Sequence, residues 1–406
     1  MAETVLPLTK RQAWLLDLLF MGMSVRDYVR SLVTPFNLVA ALVLSVGLPV
    51  TVLRFTHGLS ATTNLTDDYP WGLWIGFDML CGVALAAGGF VLAGTVHILH
   101  LERYERFVRP AILTAFLGYI LAVLGLMMDL GRPYNIWHPM VFWQPHSVMF
   151  EVGWCVMLYN TVLFLEFLPM VCERLRFERA LKILRRIMLV VIVAGIVLST
   201  MHQSSLGGLF LMAASKLHPL WYTPYLPLFF FVSAVVAGLS MVIVESMLSH
   251  RAFHHLVADQ DPAELDRLVI GLGKAASVVL LVYFLLKWIG VAKGGHWGLL
   301  LTPYGGLFLV EVMGFVLLPC VLYVVAARRQ SATLTRITSV WTVLGIVLNR
   351  LNVSIIAFRW TDEVRYVPHW IEITVTITLI VVGVLAFRWI VNRMPVLCEH
   401  ADHATA

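Results

Sequence analysis

The sequence predicts an all-α integral membrane protein with about ten transmembrane helices. Three observations carry this. Hydrophobic residues make up 60% of the 406 positions and charged residues only 13%, about half the share found in water-soluble domains. Ten apolar runs are each long enough to cross hydrocarbon, which takes about 20 residues of helix. Basic residues gather in alternate connections only, as the positive-inside bias requires.

The elements follow in chain order. The first residues (MAETVLPLTK) are polar and lack the apolar core of a secretory signal. From Arg11 to Leu32, apolar positions recur at helical spacing with Asp17, Arg26, Asp27 and Arg30 between them. That pattern predicts a helix lying on the membrane surface. The expected spans are 36–55, 72–99, 110–129, 147–172, 183–202, 224–248, 269–292, 303–327, 333–358 and 369–392. This divides the chain into a cytoplasmic tail with surface helix (1–35), a membrane domain (36–394) and a cytoplasmic tail (395–406).

Arg103, Arg106, Arg109, Arg174, Arg176, Arg179, Lys182, Arg185 and Arg186 crowd one set of connections, with Arg328, Arg329 and Arg336 later. The alternate set is poor in them and instead carries His, Trp, Pro and Gly, as in PYNIWHPMVFWQPH and RYVPHW. Both termini are therefore expected in the cytoplasm of a bacterium, with the chain in its inner membrane. The net charge of +5 is a matter of loop sidedness and gives no sign of nucleic acid as a partner; the lipid bilayer is the surface it implies. Five scattered cysteines contain no CxxC pair, so no metal site or iron–sulfur cluster is expected within the chain.

Ionisable side chains at bilayer depth cost roughly 2.5–3.5 kcal/mol on insertion scales, which makes them candidates for function. Asp78, Glu151 and His202 fall toward the His- and Trp-rich end, and no basic residue neighbours the two acids in sequence. Tyr119 sits near mid-depth. Glu166 and Glu245 lie toward the basic end, where Glu166 has the alternative of snorkelling to the interface. Glu311 and Arg350 lie at a shared depth of roughly 12 Å with opposite charge, which predicts a structural ion pair. Asp129 and Arg132 read as a pair or cap at a helix end.

Several stretches, in order, carry a family resemblance: PWGLWIGFD (70–78), AAGGF (86–90), VRPAIL (108–113), DLGRPYN (129–135), SVMFE (147–151), TMHQSSLGG (200–208), HPLW (218–221), LPLFFFVSA (226–234), VIVE (242–245) and NRL with IIAF (349–358). Taken together they resemble the NrfD/PsrC family of membrane subunits, and most of all its HybB-type branch in hydrogenase and menaquinone reductase complexes. The resemblance implies two four-helix bundles flanked by the first and last helices. It implies a quinone-handling subunit, inactive alone, with no haem or iron–sulfur cluster of its own. A periplasmic ferredoxin-like iron–sulfur subunit would pass it electrons, with a further catalytic or multihaem cytochrome c subunit behind. The implied menaquinone site is Asp78, His202 and Gln203, with Trp71 and Arg132. The implied proton-transfer residues are Tyr119, Glu151, His202 and Glu245. No residue of this chain is expected to be catalytic in the covalent sense. A secondary transporter and a passive membrane anchor of a periplasmic enzyme are the other readings, although the absence of a visible inverted repeat speaks against the first.

Overall fold

The computed structural model of the chain describes residues 23–256 and 261–397. Most of the expected surface helix lies outside them. Its described remainder is α1 (Val25–Leu32), capped by the Ser24 hydroxyl accepting from Asp27 N–H, and none of its residues is buried. There follow α2 (Pro35–His57), α3 (Trp74–His97), α4 (Val108–Asp129), α5 (Val148–Leu175), α6 (Glu178–Leu211), α7 (Leu226–Ala252), α8 (Pro262–Gly294), α9 (Pro303–Arg328), α10 (Ala332–Ile356) and α11 (Trp370–Val391). Among the described residues nine of these, all but α1 and α6, are long and apolar enough to cross a membrane. Their outer faces are apolar too: Leu42, Val278 and Ile337 are 67, 62 and 60% exposed. A surface of that kind belongs in hydrocarbon, and the chain is a multi-pass membrane protein.

The expected fifth span, 183–202, is not one of the nine. It lies within α6, whose residues 187–201 are an uncharged apolar stretch. Arg185 near the start of α6 reaches Glu173 at the end of α5, and Leu217, just beyond α6, pairs with Phe358 at the opposite end of the bundle. Helix α6 thus runs end to end beside its neighbours as the tenth rod of the bundle.

Contacts between loops separate the two ends. Arg106–Glu264, Arg109–Glu173 and Arg336–Asp266 tie the basic end together. At the other end Asn64 donates to Val367 O, His218 N–H to Ala357 O, and Arg365 to the Tyr304 hydroxyl.

Packing gives the two bundles that the sequence led us to expect. In the first, α3, α4, α5 and α6 pack in a ring; in the second, α7, α8, α9 and α10 do the same. They join through α6 and α3 against α7, and α2 and α11 form a pair laid against α4. The Gly-rich AAGGF of α3 explains one of these joints. A methyl group at Gly238 of α7 would stand 2.7 Å from the backbone of Ala87 and Gly88, so only a bare backbone permits the approach. Small residues serve this purpose in membranes because lipid gives helices no hydrophobic reason to associate. Three turns are wound as π-helix: Trp74–Met79, Val310–Leu317 and Asn352–Ile356. Each carries an intramembrane polar residue (Asp78, Glu311, Asn352), as is frequent for π-bulges at functional positions.

Candidate functional site

In the first bundle, the expected residues form two groups rather than one. Asp78 leaves the π-turn of α3 toward α4 and α11, where Gly125 of α4 makes room for its Cβ. Its Oδ2 accepts a 2.8 Å hydrogen bond from the hydroxyl of Thr376 on α11. His202 points into the interior between α4 and α6, fully buried, with Nδ1 3.0 Å from the Tyr119 hydroxyl. The neighbouring Gln203 donates to Val83 O at 3.0 Å. His202 Nε2 and Gln203 Oε1 are buried without a partner. Buried polar atoms are nearly always paired, so such orphans call for an explanation.

Toward the His- and Trp-rich end α5, α6 and α7 frame a widely open cavity of about 410 Å³. Val148 and Glu151 of α5, Ser204, Ser205 and Gly208 of α6, and Pro227 of α7 line it. The Ser205 hydroxyl donates to Glu151 Oε1 at 2.5 Å. Glu151 sits on the first turn of α5, where Ser147 caps the helix, and an acid there is favoured by the helix dipole. Ser205 is three residues beyond His202 on one helix, so the cavity and the buried imidazole are one turn apart.

Glu245 sits toward the basic end of α7, 7% exposed, with Oε1 unpaired. It borders a narrow cavity of about 40 Å³ with Arg106, Pro110, Ser249 and His250. Trp71 packs edge-on against Phe210, with centroids 5.8 Å apart, and beside Phe358. Arg132 is exposed in the loop after α4 and belongs to neither group. Asp129 has Arg54 rather than Arg132 as its basic neighbour. Arg54, near the end of α2, is 1% exposed and donates to Met128 O and Leu130 O, covering free carbonyls at the end of α4.

The second bundle corrects the expected ion pair. Glu311 pairs with Lys287 of α8 at 2.9 Å and not with Arg350. Its remaining lone pairs take Asn349 at 2.7 Å, Trp221 at 2.7 Å and Asn352 at 2.6 Å. Arg350 turns toward α7 instead, donating to Phe230 O and Ser233 and lying 3.8 Å over the Phe230 ring. Equal depth brings two side chains together only when they also face each other around their helices, and Lys287 is the base that faces Glu311. A lysine deep inside the apolar run 269–292, well past Lys274 near its start, was the available signal for it. Thr376 left no such signal, because threonines are ordinary in membrane helices.

Above this bundle, the loop residue His218 is 2% exposed and stacks on Tyr304 at 4.7 Å, with Trp360 edge-on. Burial, and secondly the nearby His296, lowers its pKa from 6.5 to about 4, so the imidazole is neutral at ordinary pH.

The comparisons with known proteins agree with this architecture. A protein of Nitratidesulfovibrio vulgaris is 49% identical over 93% of this chain and 98% of its own length. The probable Ni/Fe-hydrogenase 2 b-type cytochrome subunit of Escherichia coli is 32% identical over 85% of this chain and 88% of its own. The menaquinone reductase integral membrane subunit of Nitratidesulfovibrio vulgaris is 26% identical over 76% of this chain and 79% of its own. The family model described as polysulphide reductase, NrfD matches residues 61–358, from the loop before α3 through α10, and so spans both bundles. The chain belongs to the NrfD family of membrane proteins.

Proposed function

We propose that this chain is the quinone-reactive subunit of a respiratory oxidoreductase complex, exchanging electrons between an iron–sulfur partner and menaquinone, in the direction of quinone reduction. The observation that carries the reading is the cavity beside Glu151 and Ser205, one helical turn from the orphaned Nε2 of His202. Quinone reduction takes up two electrons and two protons, so a quinone site needs hydrogen-bond donors for each carbonyl and titratable groups within reach. His202, Gln203 and Glu151 offer such groups, and Asp78 and Trp71 join them from the set implied by the resemblance, of which Arg132, exposed in the loop after α4, stands apart. The menaquinone reductase and hydrogenase subunits among the relatives favour this substrate class.

The electrons come from the partner subunit, docked on the His- and Trp-rich end. We assign that end to the periplasm and the basic end, with both termini, to the cytoplasm of the inner membrane. A further catalytic or multihaem cytochrome c subunit supplies the partner. Tyr119, Glu151, His202 and Glu245 serve proton transfer. Where protons arrive from the basic end, the reaction stores energy across the membrane.

The test is His202→Ala in the intact complex. Quinone-linked turnover is expected to disappear while the complex still assembles; turnover at the normal rate in an assembled variant overturns the proposal.

A further inference from the structure

Glu166 has no role in the scheme above. It lies on α5, 6% exposed, nine residues inside the basic end of that helix. Facing inward, it does not take the snorkelling alternative. Tyr159, two turns earlier on the same helix and hence on the same face, is 1% exposed with its hydroxyl unpaired. A methyl group at Gly195 of α6 would stand 3.1 Å from Glu166 Oε1 and 3.8 Å from the Tyr159 ring. The two side chains therefore converge on the space that this glycine keeps clear. Tyr159 meets Tyr119 edge-on with centroids 4.6 Å apart, and the buried hydroxyl of Ser199 lies within hydrogen-bonding reach of both phenols. Tyr119 then reaches His202 Nδ1 at 3.0 Å.

We propose that Glu166, Tyr159, Ser199, Tyr119 and His202 form a proton wire through the first bundle, with Glu166 as its inlet from the basic end. One proton enters at the Glu166 carboxylate, and each hydroxyl passes one on and receives one. His202 releases a proton from Nε2 toward the quinone side and takes one at Nδ1 from Tyr119; a turn of the ring then restores the first tautomer before the next proton, so no group changes its charge over a cycle. The separation between Glu166 and Tyr159 is crossed by a carboxylate rotation or a bridging water. A hydroxyl chain suits the interior because it carries protons without placing a lasting charge in oil. Glu245, on α7 and bordering small apolar residues of α3 and α4, is a separate inlet.

The inference rests on the quinone reading, and the intact complex in liposomes separates the two. Quinone-linked turnover is measured against pH for Glu166→Gln, Glu166→Asp, Tyr159→Phe and His202→Ala, with assembly checked for each. Glu166→Gln and Tyr159→Phe are each expected to lower turnover about tenfold, as loss of a proton relay does, with a deficit that shrinks toward acid pH as bulk protons substitute. Glu166→Asp should recover most of the rate. Normal turnover in Glu166→Gln while His202→Ala is inactive overturns the wire alone. A pH-independent loss shared by Glu166→Gln and Glu166→Asp, with Tyr159→Phe normal, also overturns it, by showing a packing role. Normal turnover in His202→Ala overturns the quinone reading itself.

Discussion

The Glu311 cluster of the second bundle and the His202 cluster of the first treat buried polar groups in opposite ways. In the second, Glu311 receives four hydrogen bonds, one of them from Lys287, and has no lone pair left to offer. In the first, His202 Nε2 and Gln203 Oε1 stay unpaired in the interior. A satisfied carboxylate is a tie between helices; an unsatisfied group is poised to exchange a proton or hold a substrate. The comparison teaches that position in the membrane does not separate structural from functional polar residues, and that the partners of a carboxylate or an imidazole have to be counted one by one.

The comparison can be broken at several points. The largest effect is expected from Lys287→Met, which leaves Glu311 charged and buried without its counter-ion. Removing one partner of such a pair costs roughly 3–5 kcal/mol, read as a lowered melting temperature of the complex in detergent. The double change Lys287→Met with Glu311→Leu should regain much of that loss, since neither charge is then stranded. His202→Ala in the first bundle should weigh the other way, lowering the melting temperature less than Lys287→Met does while quinone-linked rate falls by about 10²-fold or more. Glu151→Gln should cost roughly tenfold in rate with no change in stability, because the side chain lines an open cavity and its amide can still bond Ser205. Arg132→Ala should be smallest, within about 0.5 kcal/mol in stability and less than about twofold in rate, since surface changes away from special features do little. A large loss of turnover there would restore Arg132 to the site.

The fold was largely legible in the sequence, because lipid imposes length and apolarity on every span and charge sidedness on every loop. Both bundles and the flanking pair stand where the motifs suggested. Azimuth was not legible. The depth of Glu311 and Arg350 could be counted from residue numbers, yet their facing directions depend on how α8, α9 and α10 are rotated against each other. For the same reason Asp78 and His202, close in depth, meet different neighbours: one looks toward α11, the other into the first bundle. The burial of Arg54 is invisible for a like reason: its carbonyl partners, Met128 and Leu130, lie 74 and 76 residues away.

The hydroxyl of Thr376 has a practical consequence. It holds Asp78 from α11, beyond residue 358, where the shared family pattern ends. A chimera that exchanges only the matched core between relatives would move the acid and leave its anchor behind. Differences in activity among such hybrids would then reflect a mismatched last helix as much as the transplanted core.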